Sequence, residues 1–123
     1  IGRQLREAHL LPDLVISSTA RRARATARRA IEASGAEIPL ELTRNLYAAG
    51  PKSYLEELGR RAGDRHATVM VVGHNPGLED LVALLTGEPT TLKTAYLAVI
   101  SLDVDDWADV ATARGRLDRV LNP

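Results

Sequence analysis

A short apolar run that leads straight into a helix constrains the fold of this chain most. The sequence VMVV at residues 69–72 consists of β-forming residues and ends in Gly73, as a buried strand does. In the segment that follows, residues 76–87, Leu78, Leu81, Val82 and Leu85 have helical spacing. A strand followed directly by a helix is the unit from which α/β folds are built.

The same alternation runs through the rest of the sequence. Its periodicities predict helices over 1–11, 19–35, 50–63 and 76–87, strands over 12–18, 36–42, 67–73, 94–102 and 114–122, and a loop with one helical turn over 103–112. This order indicates an α/β fold with a mostly parallel sheet and helices on both faces. The last two strands have no helix between them, so we expect an antiparallel C-terminal pair. Pro39 disfavours a central position for strand 36–42.

Composition and charge limit the classes of function. The 123 residues suit one domain, 1–123, and sixteen basic residues balance sixteen acidic ones. No global charge therefore favours nucleic acid or membrane as a partner. The chain has no cysteine, which excludes disulfides and thiolate metal sites. Without a long apolar segment or a signal peptide, we expect a cytoplasmic protein.

Arginines crowd the start of the second predicted helix. Arg21, Arg22 and Arg24 lie in its opening turn, where the helix dipole disfavours cations by roughly 0.3–1 kcal/mol each. A bound anion would resolve this conflict, since backbone N–H groups and guanidinium groups then share one target. Phosphate suits both geometries. The alternative is that these arginines are merely solvated, as we expect for Arg28 and Arg29.

A second polar cluster follows strand 67–73. Gly73 lets the backbone pass close to a ligand, and Pro76 is suited to the first helical turn. Asn75 is a candidate helix cap. His74 is able to donate to an anion, act as an acid or base, or serve as a nucleophile. The alternative is a buried histidine satisfied by a neighbouring carbonyl. Both clusters follow strand ends, so we expect them at one edge of the sheet, where ligands bind in such folds.

Taken together, VISSTARRARATA and VMVVGHNPGLEDLV resemble the histidine phosphatase superfamily, which has the phosphoglycerate-mutase-like fold. The resemblance is strongest to the small SixA-like branch of phosphohistidine phosphatases. It extends over nearly the whole chain. LTRNLYAAGPKSYLEELGRRAG is similar to the family's Leu-Tyr segment and following helix, and LKTAYLAVISLD is similar to the strand after its second catalytic histidine.

The resemblance implies roles for individual residues. Arg22 corresponds to the phosphate-pocket arginine, and His74 to the second catalytic histidine, which contacts the phosphoryl oxygens. Ser18, Asn75 and Thr94 complete the implied phosphate site, with Asn75 orienting His74 or capping the helix. Arginine and imidazolium supply the positive charge for phosphoryl transfer. No metal and no cofactor is therefore expected.

The family's nucleophile has no match in this sequence. It is a histidine in an Arg-His-Gly or Arg-His-Ala motif, on a strand that belongs upstream of residue 1. His9 and His66 lack partners at metal-ligand spacing and are predicted to be surface residues. We therefore expect the histidine-phosphatase-like domain 1–123 to be N-terminally incomplete. Glu41 lies in the interval of the general acid, but no motif marks it.

The leading interpretation is an enzyme that removes a phosphoryl group through a phosphohistidine intermediate. Its expected partner is a phosphorylated protein, with phosphohistidine as the substrate group, or else a small phosphomonoester. A first alternative is a non-catalytic module that binds phosphate or a phosphoprotein. A second is an interaction domain without an anion site.

Overall fold

The structure, a computed structural model, describes residues 1–123. Its helices are α1 (Gly2–Glu7), α2 (Arg21–Ser34), α3 (Pro51–Arg61) and α4 (Gly77–Thr86), and its strands are β1 (Leu14–Ser18), β2 (Leu40–Thr43), β3 (Val69–Val72), β4 (Leu97–Leu102) and β5 (Gly115–Leu121). Two 3₁₀ helices, Arg44–Leu46 and Trp107–Thr112, complete the order. The predicted alternation of strands and helices is confirmed. No helix has the length and apolar character needed to cross a membrane.

A three-stranded parallel sheet forms the centre of the fold, in the order β2-β1-β3. Every residue of β1 is buried, and Ile16 in its middle pairs with Glu41 on one side and Val71 on the other. β2 lies at an edge, as the neighbouring Pro39 predicted. The expected mostly parallel sheet is therefore present.

Helices cover both faces of this sheet. Leu14 and Ile16 belong to the larger apolar core with Leu55 and Leu58 of α3, whereas Val15 packs with the alanines of α2 on the opposite face. This split follows from the alternation of side chains along a strand. On the side of α2 that faces the sheet, Ala23, Ala27 and Ala30 are buried and Ile31 is partly buried.

The helix ends follow the glycines of the sequence. α2 ends at Gly35 and α4 at Gly87, both of which adopt positive φ, of 72° and 74° respectively. The first helix is shorter than predicted. It ends at Glu7 instead of reaching residue 11, because the chain turns at His9, with φ 58°, before it enters β1.

The C-terminal strands form the predicted antiparallel pair, but as a separate sheet. β4 pairs only with β5, and β3 pairs only with β1, so β3 and β4 each have an edge without a backbone partner. A cleft of about 520 Å³ is lined by residues of both strands, among them Val69, Val71, Val99 and Ile100. Three of the four residues of β3 are consequently only partly buried.

Candidate active site

The carboxyl ends of the three parallel strands meet at one edge of the sheet. Ser18, the last residue of β1, is in register with Thr43, the last residue of β2, and Ser17 is in register with Val72, the last residue of β3. His74 follows two residues after β3. The order of strands therefore brings the two polar clusters of the sequence together, as expected for an open α/β sheet.

Ser18 and His74 are in direct contact. Ser18 Oγ lies 3.0 Å from His74 Nε2, and the same oxygen accepts a hydrogen bond from the Ala20 N–H at 3.2 Å. Ser18 is fully buried, whereas His74 is partly exposed. When Nε2 carries a proton, the imidazole donates to the hydroxyl. When it does not, the hydroxyl donates to the imidazole. The contact fixes the ring while its remaining surface stays open to a ligand.

Tyr54 of α3 supports the backbone of His74 from the core. Its hydroxyl accepts a hydrogen bond from the His74 N–H at 3.1 Å, and its side chain is fully buried. Burial raises the pKa of the Tyr54 phenol, and the hydrogen bond from His74 offsets only part of that effect. The phenol is thus neutral and remains a stable acceptor.

Gly73 leaves room for the contact between Tyr54 and the His74 backbone. A Cβ atom at Gly73 would lie 2.0 Å from the Tyr54 hydroxyl oxygen, so no larger residue fits. The sequence predicted that Gly73 would let the backbone approach a ligand. In the structure, the atom that Gly73 leaves room for is the Tyr54 hydroxyl oxygen, and the approach of a ligand to this backbone stays a prediction.

The ring of Tyr47 lies beside that of His74. The ring centroids are 5.7 Å apart and the planes are inclined by 68°, an edge-to-face arrangement. Tyr47 follows the 3₁₀ helix Arg44–Leu46, which comes directly after β2. Sequence reasoning did not identify it as a site residue. The available signal was its position just after a strand that ends at the site edge.

The Asn75 side chain forms hydrogen bonds with the backbone of two segments, the first turn of α4 and the segment that follows α4. Its Oδ1 accepts from the Glu79 N–H at 3.2 Å, and its Nδ2 donates to the Leu92 carbonyl oxygen at 2.7 Å. Asn75 thus satisfies an amide of the first turn of α4, although that helix begins at Gly77. The expectation that Pro76 occupies the first helical turn is wrong by one residue, since Pro76 precedes the helix. The structure records no hydrogen bond between Asn75 and the His74 side chain.

Thr94 lies beyond the segment that Asn75 holds. It is exposed, in a turn closed by a hydrogen bond from the Tyr96 N–H to the Lys93 carbonyl oxygen. The structure gives its side chain no hydrogen bond to the other candidate site residues.

The arginines of α2 stand at the start of the helix, as predicted. Arg21 and Arg22 are exposed and form no ion pair, and no acidic residue lies in the first turn. Arg24 is partly buried, and its Nε atom has no hydrogen-bond partner. Arg28 and Arg29 are exposed further along the helix. The positive charge near Ser18 is therefore uncompensated by protein groups.

A separate charged cluster holds β2 against α3. Glu57 is 1% exposed and lies 3.2 Å from both Arg60 and Arg61, and Arg61 also donates to Glu41 at 2.9 Å. Burial alone would raise the pKa of Glu57, but hydrogen bonds from Thr43 and Arg61 and the nearby arginine charges lower it. The structure thus pairs Glu41 with Arg61 and records no contact of Glu41 with His74.

The other two histidines lie at the opposite edge of the sheet. His9 precedes β1 and His66 precedes β3, so both are at the amino ends of the strands. His66 Nδ1 accepts a hydrogen bond from the Gly63 N–H at 2.9 Å. The structure contains no group of three or more His, Cys, Asp or Glu side chains placed to hold a metal ion.

Comparison with curated proteins finds relatives of greater length. No model of a known protein family matches the sequence. The chain is 33% identical over 109 residues to an uncharacterized protein of Mycobacterium tuberculosis, an alignment that covers 80% of this chain and 65% of that protein. It is 36% identical over 81 residues to an uncharacterized protein of Mycobacterium leprae, covering 66% and 47%. The chain spans less than two thirds of the length of these relatives.

Solved structures share the fold over nearly the whole chain. A candidate phosphohistidine phosphatase SixA from Nakamurella multipartitia superposes with a TM-score of 0.79 at 27% identity, covering 99% of this chain and 77% of that one. A candidate SixA from Agrobacterium tumefaciens gives 0.79 at 29% identity, covering 99% and 75%. A protein histidine phosphatase SixA complexed with tungstate gives 0.80 at 21% identity, covering 98% and 74%, and shows the fold alone.

Proposed function

Because the chain has the SixA-like fold of the histidine phosphatase superfamily, we propose that it forms the phosphate-binding part of a phosphatase. The substrate group is a phosphoryl group, and the reaction passes through a phosphohistidine intermediate. The observation that carries the proposal is the 3.0 Å contact between Ser18 and His74. It joins the two sequence motifs at the edge of the sheet where the helix with unpaired arginines begins.

The chemistry of this edge suits an anion with several oxygens. His74 offers an imidazole, Arg22 an exposed guanidinium, and the first turn of α2 a positive helix end. Phosphoryl transfer spreads negative charge over equatorial oxygens, so fixed positive groups lower its barrier. We assign Arg22 and His74 to the phosphoryl oxygens, Ser18 to the orientation of His74, and Asn75 and Thr94 to the rim of the site.

The nucleophile is proposed to lie outside residues 1–123. His9 and His66 are at the wrong edge of the sheet, and the resemblance assigns the nucleophile to a strand upstream of residue 1. The cleft between β3 and β4 is compatible with such a strand, since both strands have a free edge there. An imidazole nitrogen of this histidine would attack phosphorus as the bond to the leaving group breaks. Water would then cleave the N–P bond and release inorganic phosphate.

We propose phosphohistidine on a protein as the substrate, and a small phosphomonoester as the second possibility. The similarity to SixA proteins supports the first. The exposure of Arg21 and Arg22 also supports it, because groups that project from the surface are able to reach a phosphoryl group on a folded partner.

Anion binding by residues 1–123 tests the site without requiring the nucleophile. Tungstate should raise the melting temperature of the chain, since a ligand that binds the folded state stabilises it by mass action. Arg22→Ala and His74→Ala should each abolish this shift. Arg28→Ala, an exposed arginine on the same helix, should leave it unchanged. A shift that survives in the Arg22→Ala variant would mean that the anion site is elsewhere.

Hydrolysis tests the catalytic part of the proposal. The full natural polypeptide should release phosphate from a phosphohistidine-bearing protein, and residues 1–123 alone should not. If the full polypeptide binds tungstate but releases no phosphate from either phosphohistidine or a phosphomonoester, the protein is a non-catalytic phosphate-binding module.

A further inference from the structure

Tyr47 is highly exposed, although large aromatic side chains gain stability from burial. Its exposed fraction is 65%, whereas Tyr54 is fully buried, and Leu84, at 46%, is the other large apolar residue that is exposed. Burial of a large apolar side chain stabilises a protein by about 1.5–3 kcal/mol, so this ring forgoes a gain. It does so at the mouth of the proposed active site, edge-to-face with His74.

The backbone beneath Tyr47 is firmly anchored. Leu46 is fully buried, Thr43 Oγ1 accepts from the Asn45 N–H at 3.1 Å, and Asn45 Nδ2 lies 3.4 Å from Glu57. The Tyr47 N–H donates to the Arg44 carbonyl oxygen at 2.9 Å. The ring is thus presented from a fixed position.

The aromatic ring of Tyr47 is not suited to contact the phosphoryl group itself. The face of an aromatic ring carries negative electrostatic potential, which is unfavourable next to a phosphate oxygen. The same face attracts other flat rings, through stacked or edge-to-face contacts. When His74 and Arg22 hold the phosphoryl oxygens, the group on the far side of phosphorus is the part of the substrate suited to contact Tyr47.

We propose that Tyr47 contacts the leaving group and favours phosphoryl groups carried on a flat ring, such as an imidazole or a phenol, over those on an aliphatic alcohol. This inference rests on the proposed function, because it requires the phosphoryl group to bind at His74. It assigns the choice between flat-ring and aliphatic leaving groups to one side chain.

Binding of two non-hydrolysable phosphonates tests the inference. The full natural polypeptide should bind phenylphosphonate about 2- to 10-fold more tightly than methylphosphonate, the range expected for one aromatic pair. Tyr47→Ala should remove this preference, so that the ratio of the two affinities falls to about 1. Tyr47→Phe should keep the preference, and so should Leu84→Ala, which truncates the other exposed apolar side chain.

The outcomes separate this inference from the proposed function. Equal affinity of the unmodified chain for both phosphonates, or a preference that survives in Tyr47→Ala, overturns the role of Tyr47 and leaves the anion site standing. Failure of the chain to bind either phosphonate or tungstate overturns both.

Discussion

His74 Nε2 and Ser18 Oγ lie 3.0 Å apart although 56 residues separate them in sequence. One side chain follows β3 and the other ends β1, and the two strands are hydrogen-bonded neighbours in the parallel sheet. The contact is therefore a direct product of strand order. It also makes the orientation of the imidazole depend on a buried hydroxyl.

Replacing Ser18 with alanine should weaken anion binding. The change leaves His74 Nε2 and the Ala20 N–H without their partner, and the loss of such hydrogen bonds costs about 1–2 kcal/mol of stability. Tungstate titration and urea denaturation measure the two effects. Ser17→Ala is the matched control, because the Ser17 hydroxyl is also buried but donates to the Ser18 carbonyl oxygen. If Ser17→Ala reduces tungstate affinity as strongly, the His74 contact is not the cause.

Replacing Gly73 with alanine should destabilise the fold by about 1–3 kcal/mol, the usual cost of overpacking. The new methyl group would collide with the Tyr54 hydroxyl, 2.0 Å away. Tyr54→Phe removes that oxygen, so its cost should be smaller in the Gly73→Ala background than alone. A double-mutant cycle from denaturation curves measures this coupling. Strictly additive effects would contradict the proposed contact.

Replacing Glu57 with glutamine should lower the stability by about 2 kcal/mol near neutral pH, since it removes the buried charge that Arg60 and Arg61 face. The folded-state pKa of Glu57 is lowered from 4.5. The charged carboxylate therefore stabilises the fold above that pH, and this contribution is lost as the pH falls through the folded-state pKa. The unfolding free energies of the two proteins, measured at pH 7 and at successively lower pH below the ordinary carboxyl pKa of 4.5, should draw closer as the pH falls. A constant difference would show that packing, not charge, is responsible.

Replacing Glu79 with alanine should loosen the segment that carries Thr94. The Leu92 N–H donates to Glu79 Oε2 at 2.7 Å, and no other acceptor is recorded for it. We expect the Leu92 amide to exchange with solvent faster in the variant, while amides of β1 keep their protection. Glu88→Ala is a suitable control, because its carboxylate lies in the same loop without a recorded contact. Unchanged exchange at Leu92 would show that Glu79 does not hold the loop.

Local patterns predicted the parts of this fold that depend on one segment. Helical spacing within residues 76–87 identified Leu81, Val82 and Leu85 as one apolar face, and the structure buries all three. Gly35 marked the end of α2, because a left-handed residue there favours glycine. The two polar clusters were also recognisable from the sequence, because each of them lies within one segment.

Contacts between distant segments were not predictable in this way. Glu57 pairs with Arg61 one turn later on the same helix, but it also accepts a hydrogen bond from the Asn45 amide of a different element, and that contact has no local signal. Tyr47 reaches His74 only because β2 and β3 flank β1. The separation of β4 and β5 from the parallel sheet likewise depends on which strand edges meet, and no residue pattern encodes that.

The gap between β3 and β4 bears on how cooperatively the protein unfolds. No ladder of backbone hydrogen bonds crosses it, so the C-terminal hairpin is held to the rest mainly by side-chain packing. The hairpin is therefore able to open while the parallel sheet remains closed, as a unit of lower local stability. A strand inserted into the gap would remove that independence and couple the hairpin to the strands that carry Ser18 and His74.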